Sequence, residues 1–135
     1  MAIVSSSFFL SYPFITATDF QLPKGTIEPD TPFEIKGKFD NFSKQSLNVK
    51  LGIKIVDQEG EAQYFSMYTF SELRPSYYYT NFQARVPSTV PEGVYEIYPA
   101  FMIENGDWYQ IPVETKADQN YRMTVNENGI SFKKQ

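Results

Sequence analysis

Phe33-Glu34-Ile35-Lys36-Gly37-Lys38-Phe39-Asp40 alternates an apolar or small residue with a charged one. Leu47-Asn48-Val49-Lys50-Leu51-Gly52-Ile53-Lys54-Ile55 repeats the pattern a few residues later. Successive side chains of an extended strand point to opposite faces, so each segment reads as a strand with one apolar and one wet face. Such half-buried strands belong to antiparallel sheets and need a second layer to cover the apolar face. Downstream, Asp57-Gln58-Glu59-Gly60 turns into a third run, Glu61 to Phe70. Further runs lie at Tyr77 to Val86, Gly93 to Ile103, Trp108 to Val113, Tyr121 to Val125 and Ile130 to Lys133, and Asp19 to Leu22 lies upstream. The sum is about 8–9 short strands separated by Gly, Pro and Asn turns.

Helix is nearly absent from this reading. Nine prolines are scattered through the 135 residues, and the pattern leaves room for at most a turn of helix around Ser71 to Pro75. The fold class is therefore all-β, an antiparallel two-sheet sandwich. The chain divides into an N-terminal arm or linker, residues 1–16, and one sandwich domain, residues 17–135. Ala2 to Ile15 has no basic segment and is interrupted by Ser5-Ser6-Ser7, Ser11 and Pro13, so it is expected to be neither a secretion signal nor a membrane span.

Turn chemistry sets the register of two hairpins. A two-residue Asn105-Gly106 loop would leave both faces of the hairpin apolar. A three-residue loop with Gly106 in the left-handed conformation gathers Tyr95, Ile97, Phe101, Ile103, Tyr109, Ile111 and Val113 on one face. The odd loop is preferred, and it turns Tyr98, Met102 and Trp108 outward. Near the C-terminus a two-residue Asn128-Gly129 turn would align Val125 with Phe132.

Composition excludes several chemistries. There is no cysteine and no histidine, so disulfides, thiolate metal sites and the usual general base of neutral pH are unavailable. A Ser-Lys arrangement at Ser43-Lys44 or at Ser131 with Lys133 falls in polar turn or strand-end contexts. The acids Asp57, Glu59 and Glu61, and Glu104 with Asp107, sit at hairpin tips, where charge is solubilising and lacks the burial that tunes a catalytic pKa. No catalytic residue, cofactor or metal is assigned, and the chain is read as not an enzyme. Twelve basic residues against 16 acidic ones, net charge −4, give no basic face for nucleic acid. Asn41-Phe42-Ser43 matches a glycosylation acceptor pattern of low specificity.

The excess is aromatic: 12 Phe, 10 Tyr and 1 Trp. Placing Tyr78, Phe82, Ala84 and Val86 inward leaves Tyr77, Tyr79, Asn81, Gln83 and Arg85 outward, and Tyr98, Met102 and Trp108 form a second outward group. The candidate partner or glycan contacts are thus Tyr77, Tyr79, Arg85, Tyr98, Met102 and Trp108. The plainer alternative is that an adjacent strand, a loop or the N-terminal arm covers these rings.

The run Pro91-Glu92-Gly93-Val94-Tyr95-Glu96-Ile97-Tyr98-Pro99, the run Asn105-Gly106-Asp107-Trp108-Tyr109-Gln110-Ile111-Pro112 and the terminal Tyr121-Arg122-Met123-Thr124-Val125 resemble the closing strands of immunoglobulin-like modules of bacterial exported proteins. Phe33 to Asn41 and Leu51 to Gly60 are similar to their second and third strands. The resemblance covers roughly residues 17–133, and the modules in question include those that follow streptopain-like cysteine peptidase domains in Bacteroidetes. It implies an immunoglobulin-like accessory module that is extracellular, cell-surface or periplasmic. Its role would be to space or dock a neighbouring domain of the parent chain or another protein, with no cofactor. A carbohydrate-binding module using exposed aromatics is the alternative, and an inhibitor of cysteine peptidases, suggested by fold analogy alone, ranks below both.

Overall fold

The computed structural model describes residues 15–104, 106–113 and 121–134, with the backbone alone for 76–80. Eleven strands run through them: β1 (Ile15–Gln21), β2 (Thr26–Ile27), β3 (Phe33–Asn41), β4 (Leu47–Val56), β5 (Ala62–Phe65), β6 (Ser71–Leu73), β7 (Ser76–Ala84), β8 (Gly93–Ile103), β9 (Trp108–Gln110), β10 (Tyr121–Asn126) and β11 (Gly129–Lys134). They form two antiparallel sheets. The smaller has the order β1-β3-β7 and the larger β2-β11-β10-β8-β4-β5, with β6 also on β4 and β9 also on β8. The chain is an all-β sandwich, as the alternating runs require.

The two runs that decide the fold occupy different sheets and face one another. From β3 and its neighbours come Phe33, Ile35, Phe39, Phe82 and Ala84, and from the larger sheet Val49, Ile53, Ile55, Ile97, Phe101 and Met123, all buried. Ring pairs cross the interface: Phe33 with Phe132 at 5.1 Å and Phe20 edge-on to Tyr121 at 5.7 Å. Removing each such side chain from water contributes about 1.5–3 kcal/mol, and this supplies the force that closes the layers.

Two turn features fix the long strand β8. At its start the Tyr95 hydroxyl donates to the Pro91 carbonyl at 2.6 Å, a tyrosine corner that ties the strand to the chain entering it. At its end Met102 pairs with Trp108 and the Ile103 N–H donates to the Asp107 carbonyl at 3.1 Å, which leaves a three-residue loop with Gly106 at φ 92°. The odd-loop register holds.

Several strand limits differ from the sequence reading. The first strand begins at Ile15, inside the expected arm, and not at Asp19. Asp19 has φ 54° and the β1–β3 register shifts between Thr18 and Gln21. The buried positions change phase from Ile15 and Ala17 to Phe20 and Leu22 across this bulge, which hid the strand from a strict period of two. The remainder of the arm, residues 1–14, lies outside the described residues. The run Glu61 to Phe70 is strand only at Ala62–Phe65, and Ser71 to Pro75 contains β6 in place of a helical turn. Ser66 Oγ donates to the Leu51 carbonyl and takes the Tyr68 N–H at 3.1 Å, and these bonds lift the chain off the ladder between the two strands.

Trp108 to Val113 is not one strand but a change of sheet. β9 ends at Gln110, Ile111 N–H donates to Pro99 O, and the Ala17 N–H then donates to Pro112 O at 2.8 Å beside a parallel Ala17–Val113 bridge. The C-terminal hairpin turns two residues earlier in register than expected, pairing Val125 with Ile130 and Met123 with Phe132. Asn126 Oδ1 accepts the Asn128 N–H at 2.9 Å, closing the turn over Glu127-Asn128. A shift of two keeps every side chain on its expected face.

Candidate functional site

The outer face of the larger sheet is built by the wet positions of β4, β5, β8 and β9. Across it run the rows Tyr64–Lys54–Tyr98 and Lys50–Met102–Trp108, and between them Gly52–Ala100–Gln110. Gly52 and Ala100 give this middle row a low floor. Ala100 is fully buried although it points away from the core, and a Cβ on Gly52 would meet Trp108 Cη2 at 3.0 Å. The indole therefore lies over the floor and reaches the neighbouring row, where it stacks on Tyr64 with centroids 5.2 Å apart and planes inclined by 10°. Offset stacking of this kind is worth about 0.5–1.5 kcal/mol beyond area burial.

Polar groups frame the stack. Lys54 Nζ donates to Gln110 Oε1 at 3.0 Å and lies 5.9 Å from the Tyr64 centroid. Burial pushes the Lys54 ammonium pKa down, and the nearby Glu96 carboxylate opposes the shift. Burial likewise raises the Tyr64 phenol. Tyr98 Oη donates to Glu96 Oε1 at 2.7 Å, and its pKa is pushed up to about 12 by burial, then by that hydrogen bond and the carboxylate charge. On the far side Lys50 Nζ sits 5.3 Å from the Phe70 centroid, and Phe70, Met67 and Tyr68 are exposed.

The structure thus brings Tyr98, Met102 and Trp108 onto one face, half-buried, with Trp108 partly covered by an adjacent strand. Arg85 is exposed just past the end of β7, which belongs to the other sheet, so it does not share that surface. Phe82, Ala84 and Val86 are buried and Asn81, Gln83 and Arg85 exposed, in the expected register. The side chains of Tyr77 and Tyr79 lie outside the described residues, and their backbone pairs with Asp40 and Lys38. Tyr64, Lys54, Gln110 and Gly52 escaped the sequence reading. A glycine at a wet position within a strand was the available signal, because such a glycine marks close approach by another group.

Three of the remaining polar candidates, Asp57, Ser43 and Asn41, have structural duties. Asp57 Oδ1 accepts the N–H of Glu59 and of Glu61, both at 2.9 Å, and so closes the β4–β5 turn. Ser43 Oγ donates to the Gln45 carbonyl at 2.7 Å. Asn41 is 2% exposed and its Nδ2 donates to Leu73 O at 3.0 Å, which leaves the amide of the glycosylation pattern out of reach in the folded chain. Among the described residues no group of three or more acids is placed to hold a metal ion, and no helix is long and apolar enough to cross a membrane.

No family model matches the chain, and no curated protein does. Among solved structures it is similar to a Niemann-Pick type C2 protein from Japanese carpenter ant, at 14% identity over 76% of this chain and 93% of that one, TM-score 0.48. It is similar to the alkylpurine DNA glycosylase AlkC of Pseudomonas fluorescens at 8% identity over 73% of this chain, TM-score 0.45, and spans only 30% of that enzyme. The CARDB domain of a Pyrococcus furiosus protein matches at 17% identity over 77% of this chain and 92% of that domain, TM-score 0.34. Likenesses at these levels transfer no function.

Proposed function

We propose that this chain is a non-catalytic, immunoglobulin-like accessory module that docks a neighbouring domain of a larger exported bacterial protein through the outer face of its larger sheet. The observation that carries the reading is the Trp108–Tyr64 stack laid over Gly52 and Ala100. Beside it stand Met102 and Lys50, with the exposed Phe70 against the Lys50 ammonium. A large aromatic pair fixed in place before a partner arrives loses little conformational freedom on binding, and Trp and Tyr are the residues on which interface energy concentrates. Location in an exported protein rests on the resemblance of the runs Pro91 to Pro99, Asn105 to Pro112 and Tyr121 to Val125 to exported modules. The test is titration calorimetry of the chain against the remainder of its parent protein. Submicromolar binding lost in both Trp108→Ala and Tyr64→Ala supports docking, and no binding refutes it.

A second reading is favoured by one detail. The two rings are inclined by only 10° and are bordered by Lys54 and Gln110, an arrangement suited to a sugar ring with hydrogen-bonding hydroxyls at its rim. A glycan array separates the two: glycan binding abolished by Trp108→Ala supports a carbohydrate-binding module, and binding to the parent chain alone supports docking.

A further inference from the structure

The geometry points to a second interaction surface, independent of the aromatic face: two copies of the chain pair antiparallel along the outer edge of β7, joining their three-stranded sheets into one. Natural sheets blunt their edges with short strands, bulges, proline or charge, because unpaired N–H and C=O groups template further pairing. This chain blunts its other edges in those ways. β2, β5, β6 and β9 have 2, 4, 3 and 3 residues. β1 carries the bulge at Thr18/Gln21, and its outer edge is occupied by Pro112 and Val113.

β7 has none of these protections along its length. It runs nine residues, Ser76–Ala84, in unbroken register with β3 from Ala84 opposite Phe33 to Ser76 opposite Asn41. Its sequence SYYYTNFQA contains no charge and no proline and is rich in residues that favour strands. No strand among the described residues lies along its outer side. One group does reach that side: the Gln83 N–H donates to the Tyr68 hydroxyl at 2.6 Å. In an antiparallel ladder the N–H and C=O of a residue point the same way and alternate along the strand. The outward set is therefore Tyr77, Tyr79, Asn81 and Gln83, with the last already capped.

The occupant is a second copy for two reasons. An antiparallel edge pair has a two-fold axis, so one strand can serve on both sides of the contact. In a chain of net charge −4, β7 is neutral and meets its own copy without opposing like charges. The Tyr68 cap then sets the register. Placing the other outward residues, Tyr77, Tyr79 and Asn81, in hydrogen-bonded positions puts Tyr79 opposite Tyr79 of the second copy and Tyr77 opposite its Asn81.

Sedimentation equilibrium on the 135-residue chain tests this, with circular dichroism confirming that each variant folds. A concentration-dependent dimer is expected. Tyr79→Lys sets like charges together on the axis and is expected to weaken the dimer by roughly tenfold or more. Tyr79→Glu is expected to do the same, and an equimolar mixture of the two variants should restore the dimer. Tyr68→Phe releases the Gln83 N–H and should leave the dimer intact or tighten it. A wild-type chain that is monomeric up to about 1 mM, or a dimer that Tyr79→Lys and Tyr79→Glu leave unchanged, overturns the proposal.

Discussion

The Trp108 indole reaches across two small residues of neighbouring strands to stack on Tyr64, 5.2 Å away between centroids. The pairing couples β9 to β5, strands that share no hydrogen bonds, on the face opposite the core. Trp108→Ala should leave a folded sandwich, lower its stability by about 1–2 kcal/mol and weaken partner binding by about 2 kcal/mol or more. Urea unfolding and titration against the parent chain measure the two effects. A variant that fails to fold would place Trp108 in the core.

Gly52→Ala tests the floor beneath that ring. The added Cβ would collide with the Phe65 carbonyl oxygen and press on Trp108 Cη2. Backbone cannot move aside cheaply here, so a loss of about 1–3 kcal/mol is expected together with a red shift in tryptophan emission as the indole is lifted. An unchanged spectrum and midpoint would contradict the close approach.

Ile53 is fully buried at the centre of β4, between Pro99 of β8 and Phe65 of β5. Ile53→Ala should cost about 2–5 kcal/mol in denaturant unfolding, since the lost transfer energy is joined by a cavity that rigid neighbouring strands do not fill. A neutral result would refute the two-layer core.

Tyr98 gives a pH signature. Its folded pKa, pushed up to about 12, lies above the ordinary phenol value of 10.0, so the folded chain holds the phenolic proton more tightly than the unfolded chain. The associated stabilisation is fully present below pH 10 and is lost as pH rises through about 12, because the unfolded state ionises first. Absorbance titration of wild type against Tyr98→Phe should show one late-titrating phenol missing from the variant. A missing phenol that titrates near 10 would refute the raised value.

Tyr95→Phe removes the hydroxyl that donates to Pro91 O and retains the buried ring. A loss of about 0.5–1.5 kcal/mol is expected, the net worth of one hydrogen bond. Differential scanning calorimetry reads it, and no change in midpoint would deny the corner its role.

The sequence by itself determined the layer structure and the inner and outer faces. Alternation in Phe33 to Asp40 and Leu47 to Ile55 sorts side chains by face with no knowledge of what lies opposite, and it needs only the period of an extended chain. The same arithmetic, with Gly106 to supply the left-handed turn, turned Trp108 away from the core. Where a local bond broke the period the reading failed: at Asp19, where a bulge changes phase; at Ser66, whose hydroxyl lifts the chain off β4; and at Pro112, where the strand leaves one sheet for the other. Only the tertiary structure decided what covers Trp108. Tyr64 and Trp108 are 44 residues apart, and their meeting depends on the strand order β9-β8-β4-β5 and on small side chains at Gly52 and Ala100. Strand order is set by the summed burial of whole sheets, a non-local quantity that no window of alternating residues encodes.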